Sequence, residues 1–321
     1  MTLPELQQHL TYFTTTTDAL GLALYVLYND KEGIEQIRLA DIDHGSAVEL
    51  KDQYLKYLKN KFLENDDLTF MNISEGDNRR NVAFRYDLDE RPIGLDAMNL
   101  IAENEIQPQF SFTKDDFDKI KAFVITIGTE VRKLVLFKSH HHLSILRGAS
   151  TFGIRVSNHR FVRVREDIIK LSPNIDFLQI DNTLVVLSLK TLEANFGFEA
   201  IIRNKATENI LAIGAINLLE DISILSEMAE DIRQAKHIMR VKANSPVMLL
   251  PVATVIAFVQ SHKPIMKKFR LSEDGSRLKL DTKVSKKLFL ALMNDDFLTS
   301  ELTKLYYAGI AKDPMLIEAE E

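Results

Sequence analysis

The chain contains no cysteine, which excludes disulfides, a thiolate nucleophile and cysteine-ligated zinc, and suits a reducing compartment. Glycine is scarce, at 12 of 321 residues. None of it forms a phosphate-cradling loop, a dinucleotide fingerprint or a serine elbow, so no cofactor is expected. Long hydrophobic runs are missing too. The longest, Pro246 to Val259, is interrupted by Pro251; it is too short to cross a bilayer and reads as a buried helix. The amino terminus, Met1-Thr2-Leu3-Pro4-Glu5, lacks the basic segment and apolar stretch of a secretory signal, which predicts a soluble, cytoplasmic protein. There is no low-complexity linker and no internal repeat of useful length. What is present, 45% hydrophobic and 27% charged residues, suits a globular chain long enough for one large domain or two ordinary ones.

Charge is the informative property. The net charge of -6 hides a split. Residues 1–120 carry 12 basic and 23 acidic side chains, and residues 121–321 carry 28 and 23. Residues 131–170 hold nine Lys and Arg against only Glu166 and Asp167, and Ile232 to Arg270 hold eight with no carboxylate. Such asymmetry hints at an anionic partner and says nothing about fold. The basic stretches could equally pair with the acidic third, within the molecule or across a dimer.

Hydrophobic patterning predicts an early helix over Pro4–Phe13, a buried strand from Leu20, a second at Ile34–Ile42, and a helix capped by Ser46 and running to about Glu64. Phe70–Ile73 and Val82–Tyr86 read as paired strands around the polar turn Glu75-Gly-Asp-Asn, followed by helices at Gly94–Glu103 and from Asp115. Short strands follow at Phe123–Ile127, Leu134–Phe137, Gly153–Val156, Arg160–Arg165, Phe177–Ile180 and Leu184–Leu187. Beyond Leu189 the periodicity becomes helical, over 190–206, 217–240, 250–261, 284–293 and 299–309. The expected class is α+β: a mixed domain of strands, helices and short antiparallel hairpins over residues 1–188, then a mainly helical domain over 189–321.

Chemistry-bearing groups are sparse. In the run His140-His141-His142, neighbouring residues of a strand point to opposite faces, so three imidazoles do not readily meet on one metal. Acidic pairs recur, and Asp41 with Asp43 would share a face of a strand. They are the least poor ligands for a metal-dependent nuclease, but no lysine-bearing partner motif follows them. No catalytic constellation or metal site is recognisable.

Two basic features are better material. A hairpin closing through the three residues Ser157-Asn-His would bury its valines and display Arg163 and Arg165 with Phe161, next to Arg155. Guanidinium groups can bind successive phosphates there while the ring stacks a base. The second feature comprises Lys263, Lys267, Lys268 and Arg270, preceded by Arg233, Lys236 and Arg240 at helical spacing. No base-reading motif accompanies them, so binding would be mainly to the phosphate backbone, without sequence preference and strongly salt-dependent.

The closing segment Asn294-Asp-Asp-Phe297-Leu-Thr-Ser300-Glu-Leu-Thr303-Lys-Leu-Tyr306-Tyr, preceded by Leu288–Met293, resembles the carboxy-terminal signature of the KwaB family of Kiwa anti-phage systems. Leu134-Val-Leu-Phe137-Lys138, Asp176-Phe-Leu-Gln-Ile-Asp-Asn182 and Asn195-Phe-Gly-Phe198-Glu199 occur in matching order. Together they span about the last 190 residues. The resemblance implies a bacterial defence protein: a DNA-associating component that works beside the small membrane protein KwaA and is recruited to the inner membrane. It also implies a homodimer or higher oligomer. It supplies no catalytic residues. The expectation is therefore a non-enzymatic DNA-binding effector using Arg155, Arg163, Arg165, Lys263, Lys267, Lys268 and Arg270. The alternatives are a metal-dependent nuclease and a non-catalytic adaptor for a membrane-associated assembly.

Overall fold

The computed structural model describes residues 1–75, 81–103, 106–111, 113–115, 117–140, 145–146, 153–157, 160–241, 245–300 and 303–309. The chain divides into two compact units, Met1–Ile73 with Arg80–Phe196, and Ser74–Arg79 with Gly197–Glu321.

The first unit opens with helix α1 (Leu3–Thr15). Thr2 and Glu5 form a reciprocal capping box at its start, and Leu6, Leu10 and Phe13 face inward with no exposed surface. That i, i+4, i+7 spacing is one helical face, and each such side chain contributes about 1.5–3 kcal/mol on full burial. Strands β1 (Gly21–Asn29) and β2 (Glu35–Leu39) form a hairpin whose turn is closed by Asp30, which accepts from the backbone N–H groups of Glu32 and Ile34. Helix α2 (His44–Leu58) buries Tyr54, Leu55 and Leu58 and continues as a π-turn over Lys59–Leu63. Its Lys51 is buried as well, but the ammonium donates to the carbonyls of Thr17 and Leu20 at 2.8 and 3.1 Å, so the charge keeps partners.

Strands β3 (Thr69–Asn72) and β4 (Val82–Arg85) precede the short helix α3 (Asp96–Ala102). Next come β5 (Ile120–Gly128), β6 (Lys133–Ser139), β7 (Ile145–Leu146), β8 (Gly153–Ser157), β9 (Arg160–Val164), β10 (Ile168–Ile169), β11 (Phe177–Ile180) and β12 (Thr183–Val186). Helix α4 (Leu189–Asn195) closes the unit. Among the described residues, eight strands make one sheet in the order β2-β1-β5-β6-β11-β12-β4-β3; β8 pairs only with β9, and β7 only with β10. One face, through Val26, Phe123, Ile125, Leu136 and Leu178, shares a core with α1 and α2. On the other, Phe137 and Phe177 meet Phe196 with ring centroids 5.2–5.4 Å apart.

Three expectations fail in this unit. Asn72 and Val82 do not end the arms of a hairpin: β3 and β4 pair in parallel, Thr69 against Val82. Val82, Ala83 and Phe84 are all buried because β4 is an interior strand between β12 and β3, and a continuous apolar run is what such a strand requires. The second strand stops at Leu39, short of Asp41 and Asp43, and the helix expected from Asp115 is only a 3-10 turn over Phe117–Lys119.

The second unit is mainly helical: α5 (Phe198–Ala215), α6 (Ser223–Ala229), α7 (Ile232–Met239), α8 (Val252–Ser261) and α9 (Lys283–Met293), with two-residue strands β13 (Arg270–Leu271) and β14 (Leu278–Lys279). Gly197, at φ +63°, separates α4 from α5 where one helix is expected, and Asp231 caps α7 and separates it from α6. Buried Asn209 on α5 donates to the carbonyls of Ile238 and Met239, satisfying the end of α7. The helix expected over 299–309 is instead an antiparallel pair, β15 (Phe297–Thr299) and β16 (Tyr306–Ala308). Its β-branched and aromatic residues favour the pleated arrangement over the helix.

Candidate nucleic-acid interface

The arginine hairpin is β8 with β9. Its ladder runs from Gly153 opposite Val164 to Ser157 opposite Arg160, so two residues rather than three connect the strands. A register change of one residue moves a strand's side chains to the other face. Arg155 consequently lies opposite Val162, whereas Ile154 lies opposite Arg163 and Val156 opposite Phe161. Directly opposed residues share a face. Arg155 therefore stands on the face away from Arg163 and Phe161, which corrects the expectation of three arginines side by side. Arg165 follows the ladder, exposed, in line with Arg163.

Burial of the hairpin also departs from expectation. Ile154, Val156, Phe161 and Val162 are 56%, 71%, 77% and 41% exposed, and Val164 alone among the described side chains of the ladder is buried. The element presents an apolar strip with arginines on both faces. Glu166 tempers that charge: backbone N–H groups at Glu166 and Arg165, with the Arg155 and Arg165 guanidiniums, hold its carboxyl below the usual carboxylate range.

The second basic stretch follows α8 in the other unit. Ile265 and Phe269 point inward, while Lys263, Lys267, Lys268 and Arg270 are exposed. The segment starts at His262, a buried ring stacked on Phe258 (centroids 4.6 Å) and met edge-on by Tyr306 (4.8 Å). Its backbone carbonyl accepts from the N–H groups of Ile265 and Met266. Burial lowers the pKa of His262, so the imidazole is an uncharged anchor at neutral pH and adds nothing to the basic charge. None of the three lysines has an ion-pair partner among the described residues, whereas Arg270 is bridged to Asp281 at 3.1 Å. Arg233, further upstream, is bridged to Asp231.

Asp43 is the N-cap of α2, accepting from the Ser46 N–H at 3.1 Å, which lowers its pKa. With the strand ended at Leu39, Asp41 and Asp43 do not share the strand face expected of them. No group of three His, Asp or Glu residues among the described ones is placed to hold a metal ion. Of the histidine run, His140 packs its ring edge-on against Phe123 and donates its backbone N–H to the Lys121 carbonyl; His141 and His142 lie outside the described residues.

Sequence reasoning met Asp176 only as the first residue of a family-like motif and gave it no role. This buried carboxylate accepts from the Ser139 N–H and hydroxyl at 2.7 and 2.6 Å and from the Thr191 hydroxyl at 3.2 Å. It thereby joins β6, the start of β11 and α4. The signal was its place at the head of an apolar strand, where an aspartate has no reason to be unless it has partners. Its role is to tie the edge of two sheet strands to the helix that follows them.

No helix among the described residues is long and apolar enough to cross a membrane. A family model described as Kiwa protein KwaB-like matches residues 117–303. The Kiwa protein KwaB of Escherichia coli O55:H7 (strain RM12579 / EPEC) is 27% identical over 282 residues, covering 87% of this chain and 90% of that protein. No solved structure matches the chain significantly.

Proposed function

The chain belongs to the KwaB-like family of Kiwa proteins, and from that premise we propose that it is the DNA-binding effector of its anti-phage defence system. Membership makes it a component of such a system. The finer reading is that it grips nucleic acid mainly by phosphate contacts, as a dimer or larger assembly, beside the membrane-embedded KwaA that recruits it to the inner membrane. The observation that carries this reading is the set Lys263, Lys267 and Lys268, exposed and without carboxylate partners among the described residues, on a segment anchored by buried neighbours. An anchored row of unpaired ammonium groups meets a polyanion at little ordering cost. Arg163, Arg165 and Phe161 offer a second contact, with the ring free to stack a base; Arg155 and Arg270 are lesser contributors, the first by its face and the second by its ion pair. Mobility-shift titration of single- and double-stranded DNA over a range of salt tests the proposal. Binding that weakens steeply with salt is expected, and undetectable binding to both forms at low salt would sink it.

A second reading is favoured by the hairpin alone. Four exposed apolar side chains are more than phosphate binding uses and suit an adaptor surface in a membrane-associated assembly. Pull-down of KwaA with the variant Phe161→Ser separates the two: loss of KwaA with DNA binding kept would assign the hairpin to assembly.

A further inference from the structure

Within the second unit, α6, α7 and α9 line a cavity of about 640 Å³ that neither proposed DNA contact touches. Buried Met228 and Leu290 form an apolar part of its wall. Arg233, Lys283, Lys286 and Lys287 supply four cations to the same lining.

The α9 lysines stand at i, i+3 and i+4, so they share one helical face. They occupy the opening turns of a helix whose first turn has no acidic residue, and none of them has a carboxylate partner among the described residues. Each opposes the positive end of the helix, and Lys283 and Lys287 repel one another. Arg233, by contrast, is held by Asp231 at 3.3 Å. The helices that bear these groups are tied together, since the Asn294 side chain at the end of α9 donates to the His237 carbonyl of α7 at 3.2 Å. The result is a structured concavity with uncompensated charge on one wall and apolar surface on another.

We propose that this cavity binds a nucleotide carrying two or more phosphates, its phosphates on Lys283, Lys286 and Lys287 and its nucleoside against Met228 and Leu290. The volume lies within the range of small-molecule sites. One carboxylate, Glu227, also lines the cavity. It would repel a bare polyphosphate or a DNA backbone, but it can accept hydrogen bonds from ribose hydroxyls or a base amine. A duplex backbone is served by open surface such as Lys263–Lys268 and has no use for an apolar wall.

Isothermal titration of the full chain at low salt with ATP, GTP, AMP, inorganic tripolyphosphate and a short DNA duplex tests this. A nucleoside triphosphate should bind at least about tenfold more tightly than AMP or tripolyphosphate. The double variant Lys286→Ala/Lys287→Ala should lose at least about tenfold in triphosphate affinity. Glu227→Gln should weaken ATP or GTP and leave tripolyphosphate unchanged or stronger. Circular dichroism and melting temperature check that the variants fold; should the double variant fail, the exposed Lys287→Gln alone carries the test with a smaller loss in the same direction. Absence of binding by both triphosphates at millimolar concentration overturns the proposal. So does tripolyphosphate binding as tightly as the nucleotides, or a double variant that loses DNA while nucleotide affinity is unaltered.

Discussion

The hairpin β8–β9 and the segment after α8 carry similar positive charge on different foundations. Among the described residues the hairpin pairs only with itself, has its arginines on both faces, and leaves Phe161 largely exposed. The segment from His262 to Arg270 is pinned by a stacked imidazole and two inward apolar side chains, and its four cations reach solvent with Pro264 and Met266 between them. Charge counted along a chain is the same in both cases. Packing decides whether that charge is held for a partner or displayed with an apolar surface that itself needs one.

The sharpest test of the contrast is stability. Ile265 is 1% exposed, so Ile265→Ala should cost about 2–5 kcal/mol in urea unfolding of the helical unit. Phe161→Ala, at the exposed hairpin, should stay within about 0.5 kcal/mol. Equal losses would mean that the hairpin is packed and the comparison false. Next in size is DNA affinity. If all three lysines contact phosphates, replacing Lys263, Lys267 and Lys268 by Ala should shrink the log–log salt slope by about 2.7, and replacing Arg163 and Arg165 by about 1.8. A larger change from the hairpin would reverse the ranking of the two sites.

Acid should act on one region selectively. Burial depresses the pKa of His262, so the unfolded chain takes up its proton first. Stability is whole above the ordinary histidine range and is lost as pH falls through that range towards the folded value. Denaturant midpoints between pH 7.5 and 5, two settings chosen as roughly bracketing histidine titration, should therefore drop. The drop should be reduced in His262→Phe, which keeps the stacking but cannot titrate; His237, lowered by burial and by Arg240 and Lys287, leaves a residue of the effect. The smallest expected effects concern single arginines. Arg155→Ala should weaken DNA binding less than Arg163→Ala, because only Arg163 shares a face with Phe161. Arg270→Ala should alter stability by no more than about 1 kcal/mol, since its bridge to Asp281 is solvent-screened.

Much of the architecture was legible locally. Leu6, Leu10 and Phe13 announce a helical face, the apolar run from Leu20 a strand, and Asp181-Asn182 the turn between β11 and β12. The basic segments were legible as charge, and the lysines after α8 were found by the absence of carboxylates alone. The failures lie where partners decide. Val82-Ala-Phe has the same sequence signature whether its neighbour runs parallel or antiparallel, and the residues from Phe297 to Ala308 satisfy a helical period while their aromatic and β-branched side chains pair as strands. The cavity lined by Met228, Leu290 and the α9 lysines draws on residues about sixty positions apart in sequence, a separation no local pattern records.

By itself, then, the amino-acid sequence determined the α+β class, the change to helix in the last third and the position of both basic stretches, because these follow from composition, periodicity and order along the chain; its short motifs carried the resemblance to the family. The tertiary structure alone decided which arginines stand together, that Asp43 caps a helix, and that three lysines of α9 share a cavity with an apolar wall. The physical reason is register. A hairpin that closes on two residues instead of three turns Arg155 away from Phe161, and nothing short of the paired strands distinguishes the two.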